Sequence, residues 1–373
     1  MSTELPDQPF DVDAMLRTAK VIVCCGSGGV GKTTTAAALA LRAAEQGRRT
    51  VVLTIDPARR LAQSMGLTEL GNVPAAVKGV DGILDAMMLD MKRTFDEIVL
   101  DHSDPVRAKQ ILANPFYQSL SSSFAGTQEY MAMEKLGQLV AQNKWDLVVV
   151  DTPPTRSALD FLDAPQNLGR FLDGRLLKLL LAPARAGGKA YLKVVSTGLS
   201  VVTRTMTRII GAQVLTDVQQ FVASLETMFG GFRERADATY QMLSAPGTAF
   251  VVIAAPESAA LREASYFAER LATEAMPLAG IVVNRVHIPS APQLGAARSL
   301  AAAEALDERG GHPEVAELLR LHAERVTLAE REARLVDGFR RAHQEISLRR
   351  IPAFVEDVHD LDGLRAVGAA LAG

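Results

Sequence analysis

Cysteine is nearly absent from this chain: two residues in 373, Cys24 and Cys25, side by side in an apolar run. Neighbouring side chains of a strand point to opposite faces, so this pair cannot staple the fold, and it lacks the C-x-x-C spacing of a metal or redox site. Both are expected to be buried structural thiols, and no zinc is expected. A charge excess is missing too. Lys and Arg total 40 against 43 Asp and Glu, which gives no reason to expect a nucleic-acid partner. No window reaches 18 uncharged apolar residues, so no membrane span is expected. Residues 1–20 hold no apolar segment of the secretory kind, so a cytoplasmic setting is expected. Internal repeats and low-complexity tracts are also lacking. What remains is a 48% hydrophobic chain, long enough for one large α/β domain with insertions or for two domains.

Glycine, by contrast, is concentrated. Gly26-Ser27-Gly28-Gly29-Val30-Gly31-Lys32-Thr33 reads G-x-x-x-x-G-K-T. It follows the apolar run Val21 to Cys25 and opens a helix-forming run from Thr34 to Glu45, closed by Gly47. In a strand–loop–helix setting the glycines let backbone N–H groups converge on phosphate oxygens, and the helix N-terminus adds its positive end. Lys32 would reach the β- and γ-phosphates of a nucleoside triphosphate, and the Thr33 hydroxyl would bind Mg²⁺.

Further apolar runs predict strands over 49–56, 83–89, 146–151, 248–255 and 280–284, with a weak last one over 351–354. Helical patterns fall between them, from Met91 past Pro115, over 127–142, and at the C-terminus. The alternation predicts an α/β fold with a mainly parallel central sheet flanked by helices. Two regions break it. One is a helical insertion at about 160–245. The other is about 291–345, two Ala/Glu/Arg-rich helices split near Gly310-Gly311. From Pro313 onward this region is heavily charged, and it reads as a solvated packing helix or as an interaction arm. Ligands of such sheets sit at the carboxyl ends of strands, where Asp56, Asp151 and Asn284 fall. Asp151, after Val148-Val149-Val150, suits an acid that holds Mg²⁺ through water while Thr33 binds the ion directly. Asp56 begins Asp56-Pro57-Ala58. Its carboxylate either orients an attacking water and takes its proton, or caps a helix whose first position is Pro57.

The loop Gly26 to Thr34, the segment Asp56 to Ser64, Phe116 to Leu136 with Ala125-Gly126-Thr127-Gln128-Glu129, and Asp151-Thr152-Pro153-Pro154-Thr155 together resemble the ArsA-type ATPases. This family comprises arsenite-pump and tail-anchored-protein-targeting ATPases, which are deviant-Walker P-loop NTPases. Pro256-Glu257, Asn284, and Ile351-Pro352-Ala353-Phe354 ahead of Glu356-Asp357-Val358 add to the resemblance, which spans roughly 20–165 and 245–372. It implies one P-loop ATPase domain over 1–373 that binds ATP and Mg²⁺ and hydrolyses ATP. By resemblance, Gly26, Ser27, Gly28, Gly29, Val30, Gly31, Lys32, Thr33 and Thr34 hold the phosphates. Lys32 and Asp56 are catalytic, Asp56 as the water-activating acid. Thr33 and Asp151 serve the metal, Asn284 hydrogen-bonds the adenine, Glu257 contacts nucleotide near a dimer interface, and Pro352 lines the adenine pocket. The family closes as a face-to-face dimer on ATP and opens after hydrolysis, coupling nucleotide state to a helical subdomain.

Ser27 departs from that pattern. The family places there a lysine that reaches the partner's phosphates, a charge in trans worth ~10³-fold or more in related hydrolases. Weak or partner-dependent hydrolysis is therefore expected. A heterodimer with a lysine-bearing paralogue would restore the charge, and a non-hydrolysing regulatory subunit is the alternative. The run DTPPTRSAL lacks the family's histidine, and the chain lacks its C-x-x-C dimer clamp. Cys24 and Cys25 are misplaced for arsenite, which disfavours an efflux role. The C-terminal LDGLRAVGAALAG lacks the basic amphipathic tail of a MinD-like membrane cycle. Within the insertion, residues 170–210 carry eight basic residues against one acid, with Tyr191, Val195, Leu199, Val202, Met206 and Ile209 on one helical stripe. Residues 165–215 read as an ordinary packed subdomain, a surface for an apolar helical protein client, or a peripheral membrane surface.

Overall fold

The computed structural model describes residues 10–56, 60–114, 117–118, 127–153, 231 and 234–373. The chain forms two compact units: Met1–Met88 with Asn143–Ala158 and Leu243–Gly373, and Leu89–Gln142 with Leu159–Met242.

The first unit is built on an eight-stranded sheet. Its strands are β1 (Val21–Gly26), β2 (Thr50–Thr54), β3 (Ala75–Ala76), β4 (Leu84–Met88), β5 (Leu147–Asp151), β6 (Thr248–Ala254), β7 (Leu278–Val286) and β8 (Leu348–Pro352). Their spatial order is β3-β4-β2-β5-β1-β6-β7-β8. All neighbours are parallel except the β3–β4 pair. Every residue of β1, β2, β5 and β6 is buried, as near-continuous apolar runs require when helices cover both faces.

The helices of this unit are α1 (Val12–Thr18), α2 (Lys32–Glu45) and α3 (Arg60–Ser64), then, beyond the second unit, α7 (Ser258–Thr273), α8 (Ala296–Glu308), α9 (Pro313–Ala342) and α10 (Leu361–Ala372). Helix α2 is buried almost all round, from Thr35 to Ala44 with only Arg42 partly open. Its alanines let it lie close to the sheet on one side and to α10 on the other. That packing anchors the loop ahead of it, so a core truncation such as Leu39→Ala would cost ~2–5 kcal/mol. The α8–α9 hairpin turns at Gly310, which takes a positive φ of 66°.

The last strand differs from its expected span. It runs over Leu348–Pro352, so Ala353 and Phe354 lie beyond it, because Arg349 and Arg350 extend the ladder despite their charge. Arg349 reaches the carbonyls of Phe10 and Ala372, and Arg350 pairs with Asp337 at 2.6 Å. Helix α1 and the two-residue β3 are too short to carry a readable period.

The described part of the second unit contains α4 (Met91–His102), α5 (Pro105–Ala113) and α6 (Thr127–Ala141). Helix α6 buries Met131, Leu136 and Leu139 together with Glu134 and Lys135. These two charges are paired: Lys135 with Glu97 at 2.7 Å, and Glu134 with both prongs of its carboxylate on Arg235 Nε at 2.9 and 3.0 Å. The basic stretch 165–215 and most of the expected insertion lie outside the described residues, as does most of the segment 115–126.

Candidate nucleotide-binding site

The loop leaves the sheet through Gly26. Its φ is +150°, and a Cβ there would stand 2.1 Å from the Ile253 carbonyl oxygen of β6. Gly31 caps α2 in the left-handed region at φ +93°, where a Cβ would meet Asn284 Nδ2 at 2.3 Å. Only glycine satisfies both the backbone and the space at these positions. Lys32 is the first residue of α2. Its side chain is buried, and Nζ donates back across the loop to the Ser27 carbonyl at 2.7 Å. Burial lowers its pKa, and the Asp151 carboxylate opposes that drop.

Strand β5 runs between β1 and β2, which sets Asp151 opposite Cys24 on one side and Thr54 on the other. Two hydroxyls converge on one of its oxygens: Thr33 Oγ1 donates to Oδ2 at 2.8 Å and Thr54 Oγ1 at 2.9 Å. The other oxygen, Oδ1, is buried with no hydrogen-bond partner. Burial pushes the Asp151 carboxyl up to about 6, against the two hydroxyls and Lys32, and the Asp56 charge adds to the rise. Thr54 also receives the Asp56 N–H at 3.2 Å, which pins the backbone two residues beyond β2. The Asp56 side chain is half-buried.

Among the described residues, no group of three or more His, Cys, Asp or Glu side chains could hold a metal ion by itself. The donors that are present are all oxygen: the Thr33 hydroxyl, and a carboxylate with one orphaned buried oxygen beside it. That is the donor set of a hard cation bound by one or two protein oxygens, with phosphates and waters completing the shell. The residues therefore fit Mg²⁺.

A cleft of about 580 Å³ opens over the loop. It is lined by Gly29, Gly31, Lys32, Thr33, Thr34, Asp56 and Asn284 from the residues singled out by sequence. Asn284 lies within β7, two residues before its end, and its Nδ2 donates to the Val30 carbonyl at 2.9 Å. Pro352 does not line this cleft, whereas Ala353 and Phe354 do. The proline ends β8, and the chain turns toward the cleft only after it. A second cleft of about 690 Å³ is lined by Ser27, Gly28, Gly29, Val30 and Glu257. Glu257 is exposed at the start of α7 and makes no capping hydrogen bond there. Gly26 and Asp151 line neither cleft.

Three residues not anticipated from sequence complete the surroundings. Arg285 and His287 line both clefts, and Glu332 lines the second. Glu332 is buried in α9 and takes the His287 backbone N–H at 2.8 Å, with its other oxygen 2.8 Å from His287 Nδ1. No spacing signals that pairing, because the partners are 45 positions apart.

A parallel sheet, a glycine loop between β1 and α2, and an acid at the end of the adjacent strand define a P-loop nucleoside triphosphatase fold. The chain belongs to the anion-transporting ATPase (ArsA ATPase) family, whose model matches residues 19–309. It is similar to ATPase ASNA1 homolog 1 of Paramecium tetraurelia, 26% identical over 277 residues that cover 73% of this chain and 77% of that protein. It is similar to ATPase ARSA2 of Chlamydomonas reinhardtii, 25% identical over 377 residues, 100% of this chain and 89% of that one. A putative arsenical pump-driving ATPase of Halobacterium salinarum is 35% identical over 184 residues, 46% of this chain and 27% of its own length. Family membership makes the chain an ATP hydrolase by class. The family match stops short of α9, which contributes Glu332, and of the segment after β8, which contributes Ala353 and Phe354 to the first cleft.

Proposed function

We propose that this protein is a Mg²⁺-dependent ATP-driven switch, working as a dimer whose nucleotide state controls a helical partner-binding surface. The observation that carries the proposal is the buried Asp151 carboxylate, oriented by Thr33 and Thr54, with Oδ1 unpartnered beside the loop. A buried acid without a full set of partners costs stability, and a site that binds metal repays that cost on binding.

In this reading the loop amides from Gly26 to Thr34 receive the triphosphate. Lys32 releases the Ser27 carbonyl and donates to the β- and γ-phosphates. Thr33 and Asp151 hold the metal, Asp151 through water. Mg²⁺ would neutralise charge on the β- and γ-phosphates during transfer. Asp56 orients the attacking water and takes its proton. Asn284, already on the loop, meets the adenine, and Glu257 stands where a second protomer would approach. Pro352 supports the adenine side through Ala353 and Phe354. The stretch 165–215 is the proposed docking surface for an apolar helical client, with a membrane surface as the other occupant. The setting is the cytoplasm, and any membrane contact is peripheral. Among the described residues no helix is long and apolar enough to cross a membrane.

Ser27 favours a second reading, a regulatory subunit of a heterodimer in which a lysine-bearing paralogue hydrolyses ATP. The Asp56→Asn variant separates the two. If this site hydrolyses ATP, turnover falls ~10²–10⁴-fold while nucleotide binding persists. If turnover belongs to a co-purifying paralogue, the substitution leaves it unchanged. A purified chain that binds no ATP at all sinks both readings.

A further inference from the structure

Successive side chains of a strand point to opposite sides of a sheet. At the carboxyl end of β7, two successive residues reach the same loop. Asn284 donates to the Val30 carbonyl at 2.9 Å, and Arg285 donates through Nη1 to the Gly29 carbonyl at 3.1 Å. Arg285 achieves this at φ +61°, in the left-handed region. A non-glycine residue held there costs ~1–3 kcal/mol, and such strain persists only where the surroundings impose it. The β7–β8 register also shifts between Val283 and Val286, around this residue.

The result is an exposed guanidinium over the phosphate loop that lines both clefts. Among the described residues no carboxylate pairs with it, whereas Arg320, Arg350 and Arg365 each hold an acid. A neutral carbonyl occupies one N–H, and the other donors of the fork stay available. Strain, an unpaired cation and a loop whose position 27 carries only a hydroxyl coincide at one place.

We infer that Arg285 is the second cation of the triphosphate site, supplied in cis: with ATP bound, its guanidinium donates to the terminal phosphate and provides the charge that Ser27 cannot. The planar fork suits phosphate oxygens, and hydrogen bonds to charged groups are the strong ones. This inference rests on the reading of the loop as a Mg-ATP site. It also removes the need for a lysine-bearing partner to supply that charge.

The test is calorimetric titration of Mg²⁺ with ATPγS and with ADP into wild type, Arg285→Asn, Arg285→Gly and Arg285→Lys. Asparagine tolerates the left-handed backbone and glycine frees it, so both remove the charge without adding strain. Both should weaken ATPγS by about 10-fold or more and leave ADP nearly unchanged, while Arg285→Lys keeps most of the preference for ATPγS. Equal losses for the two nucleotides would make Arg285 a mere brace for the loop and overturn the inference, as would an unmoved ATPγS affinity. A wild-type chain that binds neither nucleotide refutes the underlying ATP reading. A wild type that binds both, with an unchanged ratio in the Asn and Gly variants, refutes only the role of Arg285.

Discussion

Replacing Asp151 by asparagine should stabilise the metal-free protein while removing its response to metal and nucleotide. The carboxyl is fully buried, and burial holds it at about 6 against an ordinary value of 3.8. At ~1.4 kcal/mol per pKa unit, ionising it in place costs about 3 kcal/mol at neutral pH. The amide keeps an oxygen for the Thr33 and Thr54 hydroxyls but sets an N–H₂ group where Oδ1 has no partner. An unmet buried donor costs ~1–3 kcal/mol. The net is a gain of about 1 kcal/mol, or a rise in Tm of ~1–2 °C for a chain of 373 residues. The sign depends on pH. Because the folded-state pKa is raised, the folded protein holds this proton longer than the unfolded chain, and the wild type loses stability as pH rises from about 4 to about 6. Asp151→Asn should therefore melt above wild type at pH 7.5 and lose that advantage near pH 4. Thermal melts in EDTA across this range provide the measurement. Adding Mg²⁺ and ATPγS at 100 times Kd should raise wild-type stability by about 2.7 kcal/mol and the variant's by much less. A variant that melts below wild type at pH 7.5 without metal, or whose advantage ignores pH, would refute the argument.

Other outcomes follow from the same geometry. Gly31→Ala forces an L-residue to φ +93° and a Cβ to 2.3 Å from Asn284 Nδ2; melts should show a loss of ~1–3 kcal/mol, and titration should show nucleotide binding failing with it. Thr33→Val deletes the hydroxyl that donates to Asp151 at 2.8 Å, so nucleotide affinity measured with and without Mg²⁺ should become the same. Asp13 is held at about 2, chiefly by its hydrogen bonds from Arg42 at 2.7 and 2.8 Å. Its lowered pKa contributes stability above pH 4 that disappears as pH falls toward 2. Asp13→Asn should therefore cost about 1 kcal/mol at pH 7 after screening by solvent, and pH-dependent melts should show the gap closing in acid.

The glycine loop, β1, α2 and the acid-ended β5 are readable in one dimension because each requirement is local. Left-handed turns need glycine, a strand buried on both faces needs an unbroken apolar run, and an anion-binding helix start needs Lys and Thr at fixed offsets. Ser27 stands out for the same reason, against the family pattern at that position. Asp56 and Asp151 were identifiable as strand-end acids. Their neighbourhood was not, since it depends on β5 inserting between β1 and β2 and bringing Thr54 to the same carboxylate.

Arg285 and the His287–Glu332 pair carried no signal at all. A left-handed residue inside a strand pattern and a pairing across 45 positions are products of packing, and no spacing rule encodes them. Pro352 shows the converse: a residue marked by pattern whose neighbours, rather than itself, line the cleft. The glycine loop and its helix are legible along the chain, because a phosphate-binding loop of this kind needs contiguous residues. Which distant charges line the clefts beside that loop, Arg285 and the His287–Glu332 pair, is a matter of tertiary structure, because side chains far apart in the chain meet only when the strands between them are ordered in space.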